Sequence, residues 1–196
     1  MFIKNFDTDT LKYKYIGISA FIINQFRPID EILIKIKDLT NNYGTELQLF
    51  DAGCIATWEH LFFAAINALQ STATGHNLAN NLTIELSLYV SGNRQIKIAL
   101  EKFGLKPNTK TVAVCIFGNQ EKNIMKCNNE LLVFFDAAEA IAMLEINDEK
   151  FHILKQIFAI QDIEIDSLAS NAIKEEKYAI LTNIIIDRGA MVALEK

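Results

Sequence analysis

Arg94, Gln95 and Lys97 stand together just after the turn Ser91-Gly92-Asn93, and Asn77, Asn80 and Asn81 stand just before the preceding apolar run. Arginine and lysine bind phosphates, and amide side chains bind base edges and ribose. Arg94 opens a helix-like run, where free N–H groups and the macrodipole already make the end positive. A cation placed there needs a fixed acid or a bound anion. Two readings stay open. One is an internal ion pair with Glu85 on the preceding segment. The other is a phosphate site made by Arg94, Gln95 and the free amides of the turn. The two are compatible, because a bridged arginine keeps donors free. Lys97, one turn on, is by default a solvated surface charge. One of the three asparagines caps the next helix, and the others are available for base edges. His60 lies near the start of an apolar helix, where a ring satisfied by a loop carbonyl is favoured over a ligand role. Phe62 and Phe63 are adjacent, so both cannot face the core. One is left for stacking or for a partner.

The chain offers little for catalysis. His60, His76 and His152 lie far from any G-x-S-x-G elbow, and neither G-x-G-x-x-G nor G-x-x-x-x-G-K-[ST] occurs. Glu59-His60 lacks the second histidine of a zincin helix. Cys54, Cys115 and Cys127 form no CxxC pair and no zinc spacing, and read as buried thiols of a reducing cytosol. A binding protein is favoured over an enzyme, with no metal, cofactor or small-molecule substrate expected.

Charge sharpens this reading. The net charge of −5 argues against a general nucleic-acid coat protein. Residues 93–110, however, carry Arg94, Lys97, Lys102, Lys106 and Lys110 against Glu101 alone, a local charge of +4. Residues 128–176 carry eleven acids against Lys150, Lys155 and Lys174, a local charge of −8. One region suits phosphate and the rest repels it.

The elements that must position these residues follow from periodicity. With 196 residues, 51% hydrophobic and 22% charged, the chain is globular. Its two prolines, Pro28 and Pro107, and the absence of a Gly/Ser-rich linker indicate one domain over 1–196. No apolar stretch reaches bilayer length, and residues 1–15 contain no leader-like core, so a cytoplasmic protein is expected. Strands are expected at 12–23, 46–51 and 111–117, with 144–146 a possible edge strand. The β-branched run at 111–117 reads as central. Helices are expected at 27–43, 57–69, 78–90, 94–103, from 119, from 151, near 166–170 and from 174. Thr57 is the expected cap of the second. The sum is an α+β fold, a small mostly antiparallel or mixed sheet of three to four strands covered by about seven helices.

From Phe50 to Leu105 the order and spacing go beyond patterning. Asp51-Ala52, Ile55-Ala56, Glu59-His60-Leu61, Ala64 and Ala68 are followed by Asn77, Ala79-Asn80, Leu82, Glu85, Tyr89, Ser91-Gly92, Arg94-Gln95-Ile96 and Ala99, and then by Phe103-Gly104. The stretch resembles the small kinase-binding subunit of the KEOPS (EKC) complex, the Cgi family, with TPRKB its animal form. The likeness continues weakly to the end and is poor before Phe50. It implies a non-catalytic subunit that docks on the small lobe of the complex's atypical kinase. It also implies recruitment of tRNA through its single-stranded 3′ CCA end, for threonylcarbamoyladenosine formation next to the anticodon. The contacts it suggests for RNA are Arg94, Gln95, Lys97, Asn80, Asn81, Asn77 and His60, with Arg94 and Gln95 brought together by the Gly92 turn and Asn80 and Asn81 expected nearby. For the kinase it points to apolar positions of the terminal helices, Ile173 and Leu194 among them. The chain departs from the pattern at His76-Asn77 and Asn80-Asn81, where many relatives carry a positive residue. A protein–protein adaptor without RNA contact is the competing class.

Overall fold

A computed structural model describes residues 1–6, 10–170 and 173–193. Its order is β1 (Phe2–Asn5), β2 (Tyr15–Ile23), α1 (Ile29–Tyr43), β3 (Glu46–Asp51), α2 (Trp58–Thr74), α3 (Leu82–Ser91), α4 (Ile96–Phe103), β4 (Thr111–Gly118), α5 (Glu121–Phe134), β5 (Ala137–Glu139), α6 (Asp148–Ile157), α7 (Asp162–Asp166) and α8 (Lys174–Met191). Short 3₁₀ turns fill Ala52–Cys54 and Ile141–Leu144.

The α+β class holds. The sheet runs β1-β2-β4-β3, and β5 adds a second short partner to β2. Every pairing is antiparallel. β4 is central, as its unbroken Thr-Val-Ala-Val-Cys-Ile-Phe run requires of a strand covered on both faces. Side chains of a strand alternate between faces, and here each face has its own core. Ile16, Ile18, Ala20, Ala113, Cys115 and Phe117 pack under α2, α3, α4, α6 and α8. Phe21, Ile23, Leu47, Leu49, Val112, Val114 and Ile116 pack under α1 and α5.

The described residues hold five strands where three to four were expected. The proposed edge strand at 144–146 is not one. Leu144 ends a 3₁₀ turn with its side chain buried, and the added strands are β1 at the start of the chain and β5, a few residues before Leu144. Ala137-Ala138-Glu139 carries no alternation and gave no signal. The short helix placed near 166–170 lies at Asp162–Asp166 instead. It starts with a capping box between Gln161 and Glu164, a spacing readable in the sequence.

Candidate functional site

Helix α3 organises the region. Asn81 caps it: its side-chain oxygen accepts the Thr83 and Ile84 amides at 2.8 and 3.3 Å. Behind this cap, the loop 76–81 hangs on one carboxylate. Glu85 is fully buried and accepts the amides of Leu78 and Ala79 at 2.9 and 2.8 Å and the Ser71 hydroxyl at 2.9 Å. Three donors on one acid satisfy a group that would otherwise be costly inside a protein. Asn77 is spent on the Ala79 carbonyl at 2.9 Å. Asn80 is exposed beside this cap.

At its other end α3 stops at Gly92, whose φ of 59° lies in the left-handed region. The Asn93 side chain then accepts the Gln95 amide at 2.8 Å, and α4 begins. Arg94, Gln95 and Lys97 all project into solvent. The expected Arg94–Glu85 pair does not form. Glu85 is enclosed by its own donors, and Arg94 meets no carboxylate among the described residues. Lys97 approaches Glu101 only to 3.8 Å, with both side chains wide open to water, so that contact contributes little. Ile96 and Leu100, one turn apart on α4, leave 42% and 37% of their surface exposed.

The structure therefore splits the expected RNA-contact set. Asn80 and Asn81 precede the ten residues of α3 and Arg94 follows them, a separation of about 15 Å along the helix. The two groups do not share one small region. The asparagine end opens on a cleft of about 490 Å³ that Lys12, Thr40 and Thr72 also line. The arginine end adjoins a smaller hollow of about 160 Å³ beside Lys102 and Arg188. Arg188 is already engaged there, by the Phe158 carbonyl and by Glu164 at 2.7 Å.

His60 leaves the set. Its side chain is buried and both ring nitrogens are used: the Ala56 amide donates to Nδ1 at 3.2 Å, and Nε2–H donates to the Val90 carbonyl at 2.9 Å. The residue ties the start of α2 to the end of α3. Burial pushes its pKa down to about 4, so the ring is neutral in the fold. Thr57 occupies the N-cap position of α2, but its hydroxyl is buried and makes no cap bond among the described residues.

A second concavity was not anticipated. Between the start of α2 and the outer face of α8 runs a groove of about 530 Å³, lined by Phe2, Trp58, Phe63, Ile146, Tyr178 and Ile186 among others. Phe2 stacks on Trp58 with ring centres 5.0 Å apart. Phe62 turns inward onto Phe6, whereas Phe63 is 44% exposed on the groove wall. Ile173, an expected docking residue, is exposed at the start of α8. Leu194 lies outside the described residues.

The model of a family described as kinase binding protein CGI-121 matches residues 24–192. The chain belongs to the CGI-121 family. The match takes in α1 and β3, where individual residues had carried no resemblance. The regulatory protein Cgi121 of Methanocaldococcus jannaschii is 27% identical over 127 residues, covering 65% of this chain and 79% of that protein. Much of what the CGI-121 spacing of this chain encodes is internal support. Glu85 and His60 hold two loops, and Gly92 makes the turn that presents Arg94.

Proposed function

We propose that this CGI-121 family protein is a non-catalytic subunit of a KEOPS-type assembly. It binds the assembly's atypical kinase and receives the 3′ CCA end of tRNA for threonylcarbamoyladenosine modification next to the anticodon. Kinase binding rests on the family. The RNA contact rests on one observation: Arg94 stands exposed at the N-terminal end of α4, without an acid partner among the described residues, beside Gln95 and Lys97. A phosphate at this point meets a cation and the free amides of the helix start together. The exposed Ile96 and Leu100 next to it give bases an apolar surface to lie on. Asn80, about 15 Å away along α3, belongs to this reading only as a contact for a more distant nucleotide.

The test compares tRNA with and without its CCA end. Full-length tRNA binds more tightly, and its affinity falls as salt rises, because phosphate contacts release counterions. Lys97→Glu weakens binding several-fold and makes the salt dependence shallower, with the unfolding midpoint unchanged, since an exposed lysine adds little to stability. Equal affinity for tRNA lacking CCA, or a Lys97→Glu protein that binds like the parent at low salt, removes the RNA contact. The adaptor reading then takes its place.

A further inference from the structure

On the other face of the sheet, a cleft of about 450 Å³ opens between α5, the start of the chain and the end of β5. Met1 and Ile3 pack there against the α1–α5 core, so the sheet separates this cleft from the Gly92 turn and from the α2–α8 groove. Glu121, Met125 and Asn128 stand at i, i+4 and i+7 on α5 and form one stripe facing the cleft. Lys122 and Lys126 lie off that stripe and do not line it.

Asn128 is the unusual member. It is 4% exposed, and its side-chain oxygen makes no hydrogen bond among the described residues. Buried polar groups are nearly always paired, and leaving one unpaired costs stability. A leucine would fill the same place without that cost. A half-turn about the soft terminal torsion of the side chain carries the oxygen round to the cleft, where a ligand N–H meets it.

The remaining lining has acids at its ends and an apolar middle. Glu121 is exposed in the first turn of α5 and forms no ion pair among the described residues. Asn128 follows it by two turns, about 10 Å along the helix. Glu139 belongs with the asparagine end, since it pairs beside Phe21, whereas Ile3 pairs beside Gly17. Both hydrogen bonds that Glu139 accepts, from the Met1 ammonium at 2.7 Å and the Ser19 hydroxyl at 2.9 Å, end on Oε1. Oε2 accepts none among the described residues. Between these ends lie Met1, Ile3 and Met125, aliphatic and thioether surface that adapts to a flexible chain. A metal ion needs its ligands to converge on one point, and these are spread along a channel.

We propose that this cleft binds a linear alkyl polyamine, with one ammonium at Glu121, the other between Glu139 Oε2 and the Asn128 carbonyl, and the methylenes against Met1, Ile3 and Met125. The assignment is independent of the kinase and RNA readings, because it uses none of their residues.

The experiment titrates the full chain with spermidine by calorimetry at fixed ionic strength. One equivalent binds. Glu121→Gln and Asn128→Leu each weaken it about tenfold or more, as the loss of one hydrogen bond to a charged group does. Asn128→Leu keeps or raises the thermal midpoint, because removing an unpaired buried polar group is neutral or stabilising. Glu31→Gln, the same change in the first turn of α1, leaves affinity within about twofold, as an exposed charge outside the site should. Butylamine, with a single cationic end, binds about tenfold or more weaker than spermidine. The proposal is overturned if spermidine does not bind, if butylamine or magnesium binds as tightly, or if Glu31→Gln weakens spermidine as much as Glu121→Gln does. Should Asn128→Leu fail to fold, Glu121→Gln at its exposed position decides alone: parental affinity in that variant also overturns the assignment.

Discussion

Two buried polar residues decide how the site is held, and each can be tested separately. His60 titrates near 4 in the fold because burial disfavours its charged form, against about 6.5 in an unfolded chain. Its contribution is complete above about pH 6.5 and is lost as pH falls toward 4, in total about 3 kcal/mol. Urea unfolding at a series of pH values, compared with His60→Gln, checks this: the variant is less stable at pH 7 but shows a shallower acid slope. Glu85→Gln turns one of the two acceptor oxygens into an amide nitrogen, which then faces either the Ser71 hydroxyl or the Leu78 and Ala79 amides. It should cost about 2–3 kcal/mol, read from the denaturation midpoint, and should raise hydrogen exchange at the Leu78 and Ala79 amides. The residue types at 77–97 were legible as a polar constellation, but their division of labour was not. Spacing does not reveal which acid a buried loop has claimed, so Glu85 looked available to Arg94. His60 stood among the expected RNA contacts, yet its buried ring spends both nitrogens on the Ala56 amide and the Val90 carbonyl, the supporting role that a histidine on an apolar helix more often has. Lys150 enters the sequence reading only as one of three lysines in the acidic segment 128–176. It is buried, donates to the Met143 carbonyl at 2.6 Å, and is pushed down to about 8 by burial.

At the level of elements, the contact of α8 with α3 sets where the Gly92 turn lies. A Cβ at Gly189 would come 2.6 Å from the Tyr89 carbonyl oxygen. Alanine is the better helix former by about 1 kcal/mol, so propensity alone predicts that Gly189→Ala stabilises. The close approach outweighs it: two helix backbones must separate, and overpacking of this kind costs about 1–3 kcal/mol. A lower thermal midpoint for Gly189→Ala is the expected result, and a higher one would show that the helices slide apart freely. The long elements were legible because each repeats its apolar spacing over many residues. Helices α1, α2 and α8 and strands β3 and β4 lie close to where periodicity put them. The short ones were not. β1 and β5 have four and three residues, too few for a pattern to show. They exist because the β2 edge offers unpaired backbone groups, a tertiary demand that no local sequence records.

Across the whole molecule, one sheet separates two cores and puts six of the eight described α-helices on the side that carries the candidate surfaces. The order of expected elements carried the α+β class, and the distribution of charged residues carried the separation of charge between the segments 93–110 and 128–176. The concave shape of the α2–α8 groove was out of reach, since it arises from four separate stretches: β1, the start of α2, residues 144–146 and α8. The placement of β4 has a further outcome. β2 pairs with it from Tyr15–Gly118 to Ile22–Thr111, and β3 from Glu46–Phe117 to Asp51–Val112. The partners of the central pair stand about a hundred positions apart, which places this fold among slow-forming topologies dominated by distant pairings. During synthesis, β2 and β3 emerge long before the strand that joins them, with their apolar faces lacking a lasting cover. Only the small β1–β2 ladder can form early. The nascent chain therefore carries these strands without their central partner until the ribosome has delivered residues 111–118.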